Sequence, residues 1–95
     1  MLSIRKAKYA GKYNIYLVFN NGQEGIANLE EMIFSDKREV FCQLRNESRF
    51  KAFKIEHSTI IWSNELDIAP EYLYFLTFRQ DDKLQEQFRK WGYIT

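Results

Sequence analysis

This 95-residue chain holds one cysteine, one proline, one histidine and four glycines, so it is poor in the residue types on which most site motifs are built. A lone Cys42 closes no intramolecular disulfide. With His57 it falls short of the three or four nitrogen and sulfur ligands a zinc site needs, so neither a metal nor a cofactor is expected. Four scattered glycines make no phosphate-cradling loop at the start of a helix. No stretch approaches the roughly 18 uninterrupted apolar residues that span a bilayer, and none has the apolar core of a signal peptide. A non-membrane, cytoplasmic protein is the expectation. An excess of one charge is missing too: 14 Lys and Arg stand against 13 Asp and Glu, a net charge of +1. Nucleic-acid domains usually show a clear basic excess.

Aromatic residues are abundant, with eight Phe, six Tyr and two Trp. A chain of this length fits one domain that buries roughly 65% of its unfolded surface, and each ring can bury on the order of 150 to 250 Å². The rings supply either a dense core or an apolar surface. Charge runs in blocks. Residues 1–22 carry Arg5, Lys6, Lys8 and Lys12 and no acid, whereas residues 23–36 carry Glu24, Glu30, Glu31 and Asp36 and no base. A basic block over 37–54 and an acidic one over 55–78 follow. Such blocks are expected to neutralise one another on folding; the alternative is a dipolar surface that steers a charged partner.

Tyr13, Ile15, Leu17 and Phe19 alternate with Asn14, Tyr16, Val18 and Asn20, the period of a strand with one apolar face. Asn20-Asn21-Gly22 turns it into a second strand over 23–28. Another strand precedes it over 2–9. There the apolar phase slips from Leu2 and Ile4 to Ala7 and Tyr9, which predicts a bulge near Arg5 or Lys6. Leu29, Met32 and Ile33 change the period to helical, and Val40, Phe41 and Leu44 repeat it, so two short helices are expected to lie on the sheet. Phe53, Ile55 and His57, then Thr59 to Trp62, read as a second hairpin turning at His57-Ser58. Pro70 suits the first position of a helix over 70–78 that is apolar on nearly every face. A last helix over 83–91 has Asp82 to cap it, Gln85 in capping-box position, Gly92 to end it, and a stripe of Leu84, Phe88 and Trp91. The fold predicted is α+β: an antiparallel meander and a second hairpin, short helices on the sheet, and a C-terminal helix.

The opening SIRKAKYAGKYNIYLVFNNGQEG, the DKREVF and FKAF runs, the turn from Trp62 to Asp67 and the DIAPEYLY helix start together resemble the bacterial domain-of-unknown-function family 2442. The resemblance covers residues 1–78 and leaves 79–95 as a C-terminal helical extension. It implies a small α+β domain with an antiparallel sheet, found alone, joined to a helix-turn-helix domain, or encoded beside another small protein in a toxin-antitoxin-like arrangement. Here the family's Trp-Pro-Asn-Gly turn reads Trp62-Ser63-Asn64-Glu65. The 17 residues after Phe78 are too few for a helix-turn-helix, so DNA binding is not carried over from the fused relatives.

Nucleophilic catalysis would need an activated nucleophile with a base in reach, and the sole pair of suitable types is Cys42 with His57. The apolar turn around Phe41 suggests a buried, inert thiol, and His57 reads as a polar turn residue. Glu30-Glu31 and Asp81-Asp82 are sequence neighbours, which point apart on a helix. The expectation is therefore no enzyme but a non-catalytic protein-interaction module, the antitoxin-like or accessory member of a two-protein system. Its partner would be another small protein or a second copy, with Trp62, Tyr72, Phe88 and Trp91 as anchors, since aromatic side chains dominate interfaces. The alternative is a nucleic-acid-binding or regulatory accessory domain. In it Arg5, Lys6, Lys8 and Lys12 would contact phosphates beside Tyr9, Tyr13 and Tyr16 as stacking rings.

Overall fold

The computed structural model describes residues 1–63 and 66–95. Asn64 and Glu65, the middle of the turn that departs from the family pattern, lie outside the described residues. The architecture is α+β, with two three-stranded antiparallel sheets, short helices and a C-terminal helix.

The first sheet is a meander of β1 (Ile4–Tyr9), β2 (Asn14–Phe19) and β3 (Glu24–Asn28). The predicted bulge is present: pairing with β2 shifts between Ile4 and Lys6, so Arg5 is the extra residue. The shift brings Ile4, Ala7 and Tyr9 opposite Phe19, Leu17 and Ile15 on one face. Ile15, Leu17, Phe19 and Ala27 on that face are buried.

The second sheet comprises β4 (Lys54–Glu56), β5 (Thr59–Ser63) and β6 (Leu66–Ile68). The β4–β5 turn places His57 at φ 53° and Ser58 at φ 67°, the left-handed pair that a two-residue hairpin requires. The strand β6 is unanticipated. Leu66 and Ile68 are buried on either side of exposed Asp67, a three-residue alternation too short to stand out in the sequence. The sheets meet where the Ile4 amide donates to the Ser58 carbonyl at 2.9 Å.

Two helices follow β3, α1 (Glu30–Ser35) and α2 (Glu39–Cys42), the second running on into a 3₁₀ turn. A further helix, α3 (Glu47–Phe50), is unanticipated; the Asn46 side chain caps it by accepting from the Arg49 amide at 3.2 Å, and it carries Phe50 into the core. The helix α4 (Pro70–Phe78) begins at its proline and buries Leu73 through Leu76. It crosses the inner face of β3, where a Cβ on Gly25 would lie 2.7 Å from Thr77 Cγ2; only glycine leaves room for the helix.

The final helix, α5 (Gln85–Trp91), is entered through a 3₁₀ turn and ends on Gly92 at φ 87°. Its entry differs from expectation. Asp81 rather than Asp82 caps, accepting from the Lys83 amide at 2.9 Å, and Gln85 Nε2 donates to the carbonyls of Arg79 and Asp81 instead of closing a capping box. The helix docks on α4, with the Phe88 ring 5.1 Å from that of Phe75 and the Trp91 ring 6.2 Å from that of Tyr74.

Candidate functional site

The alternation that turns Ile15, Leu17 and Phe19 inward turns Tyr16 and Val18 outward. Strand pairing then sets Lys8 and Ile26 on either side of Tyr16, and Lys6 and Glu24 on either side of Val18. Lys6, Lys8, Glu24 and Ile26 are exposed, and Tyr16 and Val18 half-buried, so this face of the first sheet is open to solvent. Ile26 is 54% exposed. Arg5, thrown out by the bulge, and Lys12, in the β1–β2 turn at φ 49°, add exposed charge at the rim. Glu24 reaches the Tyr16 hydroxyl, and hydrogen bonding to that carboxylate, with desolvation and its negative charge adding, pushes the phenol pKa above its ordinary value.

The charge blocks neutralise one another only in part. The ion pairs among the described residues are Asp36–Arg38, Lys54–Glu56 and Glu86–Arg89, each between near neighbours in sequence. None reaches Arg5, Lys6, Lys8 or Lys12, so the N-terminal basic block stays solvated. The arrangement of rings around that block differs from the stacking platform anticipated. Tyr9 and Tyr13 face inward, 6.2 Å and 5.4 Å from the Phe50 ring, and the Tyr13 hydroxyl donates to the Arg45 carbonyl. Tyr16 alone shares the face with Lys6 and Lys8.

The four predicted anchors are not gathered into one patch. Phe88 is fully buried among Tyr74, Phe75 and Trp91, so it is a core residue and not an anchor: the apolar helix α4 needs α5 to cover it. Trp62 donates its indole N–H to the Phe50 carbonyl at 2.7 Å and borders a cleft of about 280 Å³ whose floor is Leu44 and Leu66. Tyr72 borders a different cleft, of about 340 Å³, beside Met32 and Ile68. Burial is the main cause raising its hydroxyl pKa. Trp91 lines a third depression, of about 220 Å³, with Leu2 and Leu84. Phe34, not predicted, is 49% exposed, with the Arg45 guanidinium 5.3 Å from its ring.

Cys42 is half-buried rather than sealed, its Sγ 3.8 Å from the Lys37 carbonyl and 4.0 Å from that of Asp36. His57 is exposed on the β4–β5 turn. Among the described residues no group of three or more His, Cys, Asp or Glu is arranged to hold a metal, and no helix is long and apolar enough to cross a membrane.

A family model described as "Protein of unknown function (DUF2442)" matches residues 4–78. The chain belongs to the DUF2442 family. The match holds both sheets and α4, and α5 lies beyond it. Among solved structures, the DUF2442 chain is similar to the crystal structure of a "Putative DNA Binding Protein" from Nitrosomonas europaea, with a TM-score of 0.70 at 8% identity. The likeness covers 99% of this chain and 63% of that one, and at such identity it is a likeness of fold. No curated protein matches the DUF2442 chain in sequence.

Proposed function

We propose that this domain is a non-catalytic protein-interaction module, the accessory half of a two-protein arrangement, that binds a partner with an acidic surface on the outer face of the first sheet. The observation that carries the reading is the row of Tyr16 and Val18 flanked by Lys6 and Lys8, open to solvent and without an acidic ion-pair partner among the described residues. An amphipathic ring set among cations offers both parts of a protein interface, an apolar centre and a charged rim. The rim cations favour encounter with an acidic partner at low salt.

Nucleic acid is the second reading, supported by the same unpaired cations and by a fold neighbour described as DNA binding. One feature ranks it second: one ring, not three, is available to stack on bases. This chain spans 63% of that neighbour's length, so a property of the whole neighbour is not carried over by the likeness of fold.

The test compares wild type with Lys6→Glu/Lys8→Glu and Tyr16→Ala in capture from a lysate, alongside fluorescence anisotropy with single-stranded and duplex oligonucleotides. The expected result is one protein retained by wild type, by Cys42→Ala and by His57→Ala, and lost by both face variants. Retention by the face variants would refute the site. Oligonucleotide binding that falls steeply with salt and disappears on charge reversal would transfer the function to the second reading.

A further inference from the structure

We propose that two copies of this chain pair through β3, antiparallel and edge to edge, to make one continuous sheet of six strands from two three-stranded halves. This pairing is independent of the partner assigned above. In the strand order β1-β2-β3 the two edges are built differently. The β1 edge is blunted by the bulge at Arg5, by Lys6 and Lys8, and by the bond from Ile4 to Ser58. Such devices keep an edge from pairing with another chain. The β3 edge, Glu24-Gly25-Ile26-Ala27-Asn28, has fewer of them: its pairing with β2 runs without a shift, it contains no lysine, arginine or proline, and its one charged side chain is Glu24.

Backbone phase defines what that edge presents. The Phe19 amide donates to Gln23 and the Leu29 amide to Tyr13, so hydrogen-bonded pairs fall at Leu17–Gly25 and Ile15–Ala27. Alternation then directs the amides and carbonyls of Glu24, Ile26 and Asn28 away from β2, toward whatever lies beyond the edge. A two-fold axis through Ile26 sets Ile26 across from Ile26 and Glu24 across from Asn28. All three outward residues are then paired and no like charges meet. Sliding the copies so that Glu24 faces Glu24 opposes two carboxylates, which costs stability in a cross-strand pair. The sequence of the edge is therefore complementary to itself in one register, and that register covers the exposed Ile26. Because the axis is perpendicular to the sheet, both Lys6, Lys8 and Tyr16 faces come to the same side, doubling the open surface.

Sedimentation equilibrium on the full chain tests this with two variants. Ile26→Lys places two ammonium groups across the axis. Asn28→Asp keeps the side-chain acceptor that takes the Glu30 amide at 3.0 Å, but sets a carboxylate opposite Glu24 of the second copy. Wild type is expected to be a dimer, and each variant to weaken it by roughly tenfold or more. Amide exchange at Glu24, Ile26 and Asn28 is expected to slow as wild-type concentration rises, a readout that stands if a variant fails to fold. A wild type monomeric up to its solubility limit, or a dimer that Asn28→Asp leaves unchanged, would overturn the pairing.

Discussion

Gly25→Ala tests the packing of α4 on the first sheet. Gly25 has no positive φ, so alanine suits its backbone, and on chain entropy alone the change would stabilise by about 0.4 to 1 kcal/mol. Steric crowding opposes that gain and outweighs it. The new Cβ would meet Thr77 Cγ2 at 2.7 Å and Phe78 Cε1 at 3.5 Å, and overpacking of this kind costs about 1 to 3 kcal/mol. The net is a loss of about 1 to 2 kcal/mol, which in a domain of this size lowers Tm by roughly 5 to 15 °C. Thr77→Ser removes the obstructing methyl and keeps the hydroxyl bond to the Leu73 carbonyl at 2.7 Å. Denaturant unfolding of the two single variants and the double variant closes a cycle, in which Gly25→Ala is expected to be nearly neutral in the serine background. A Gly25→Ala protein as stable as wild type, or a double variant showing no coupling, would refute the close approach of α4 to β3.

The other predictions concern α5 and the open sheet face. Phe88→Ala removes a fully buried ring and is expected to cost about 3 to 5 kcal/mol in denaturant unfolding; a loss under about 1 kcal/mol would mean that α5 does not unfold with the domain. In a site-resolved NMR titration, Tyr16 is expected to ionise above the ordinary tyrosine pKa, and Glu24→Gln to bring its midpoint down. Because the folded pKa is the higher one, the Glu24 contact stabilises the fold below the unfolded tyrosine pKa, and its contribution is lost as pH rises through the folded value. An unchanged midpoint in Glu24→Gln would remove that carboxylate from the phenol.

How legible an element was in the sequence depended on whether its signal was local. The bulge at Arg5 could be read because a slip in apolar phase leaves a mark over only six residues. Pro70 fixed the start of α4 for the same reason. The strand β6 and the helix α3 escaped because no apolar repeat in the flanking sequence extends them, as Phe53 and His57 extend β4 and Leu44 extends α2; their boundaries come from neighbours, β5 in one case and the Asn46 cap in the other. Asp81 won the cap from Asp82 because a 3₁₀ turn moved the helix start by a register that spacing alone does not fix. At the candidate site, Arg5, Lys6, Lys8 and Lys12 were visible as a basic block, but it was expected to be neutralised on folding; that no acid among the described residues pairs with it depends on long-range geometry that the sequence does not carry. Which tyrosines joined those cations was decided by the bulge and by long-range contact with Phe50 and Arg45.

The aromatic surplus that suggested a greasy interface is largely consumed inside the molecule. The α4 helix is apolar on nearly every side because it is covered twice: Phe19 meets Tyr74 at 4.9 Å from the sheet side, and Phe88 meets Phe75 at 5.1 Å from α5. Tyr93, held just beyond Gly92, closes the layer by packing on Tyr72 and Phe75, both at 5.2 Å. Among the described residues Phe34 is the one ring left exposed. A stretch outside the family match therefore supplies the second half of the coat around α4, and of the ring surplus the open face of the first sheet keeps only the half-buried Tyr16, beside the cations of β1. The cations of β1 lack that internal compensation among the described residues, and in the proposed reading it is this uncompensated charge that draws an acidic partner to the open face of the first sheet.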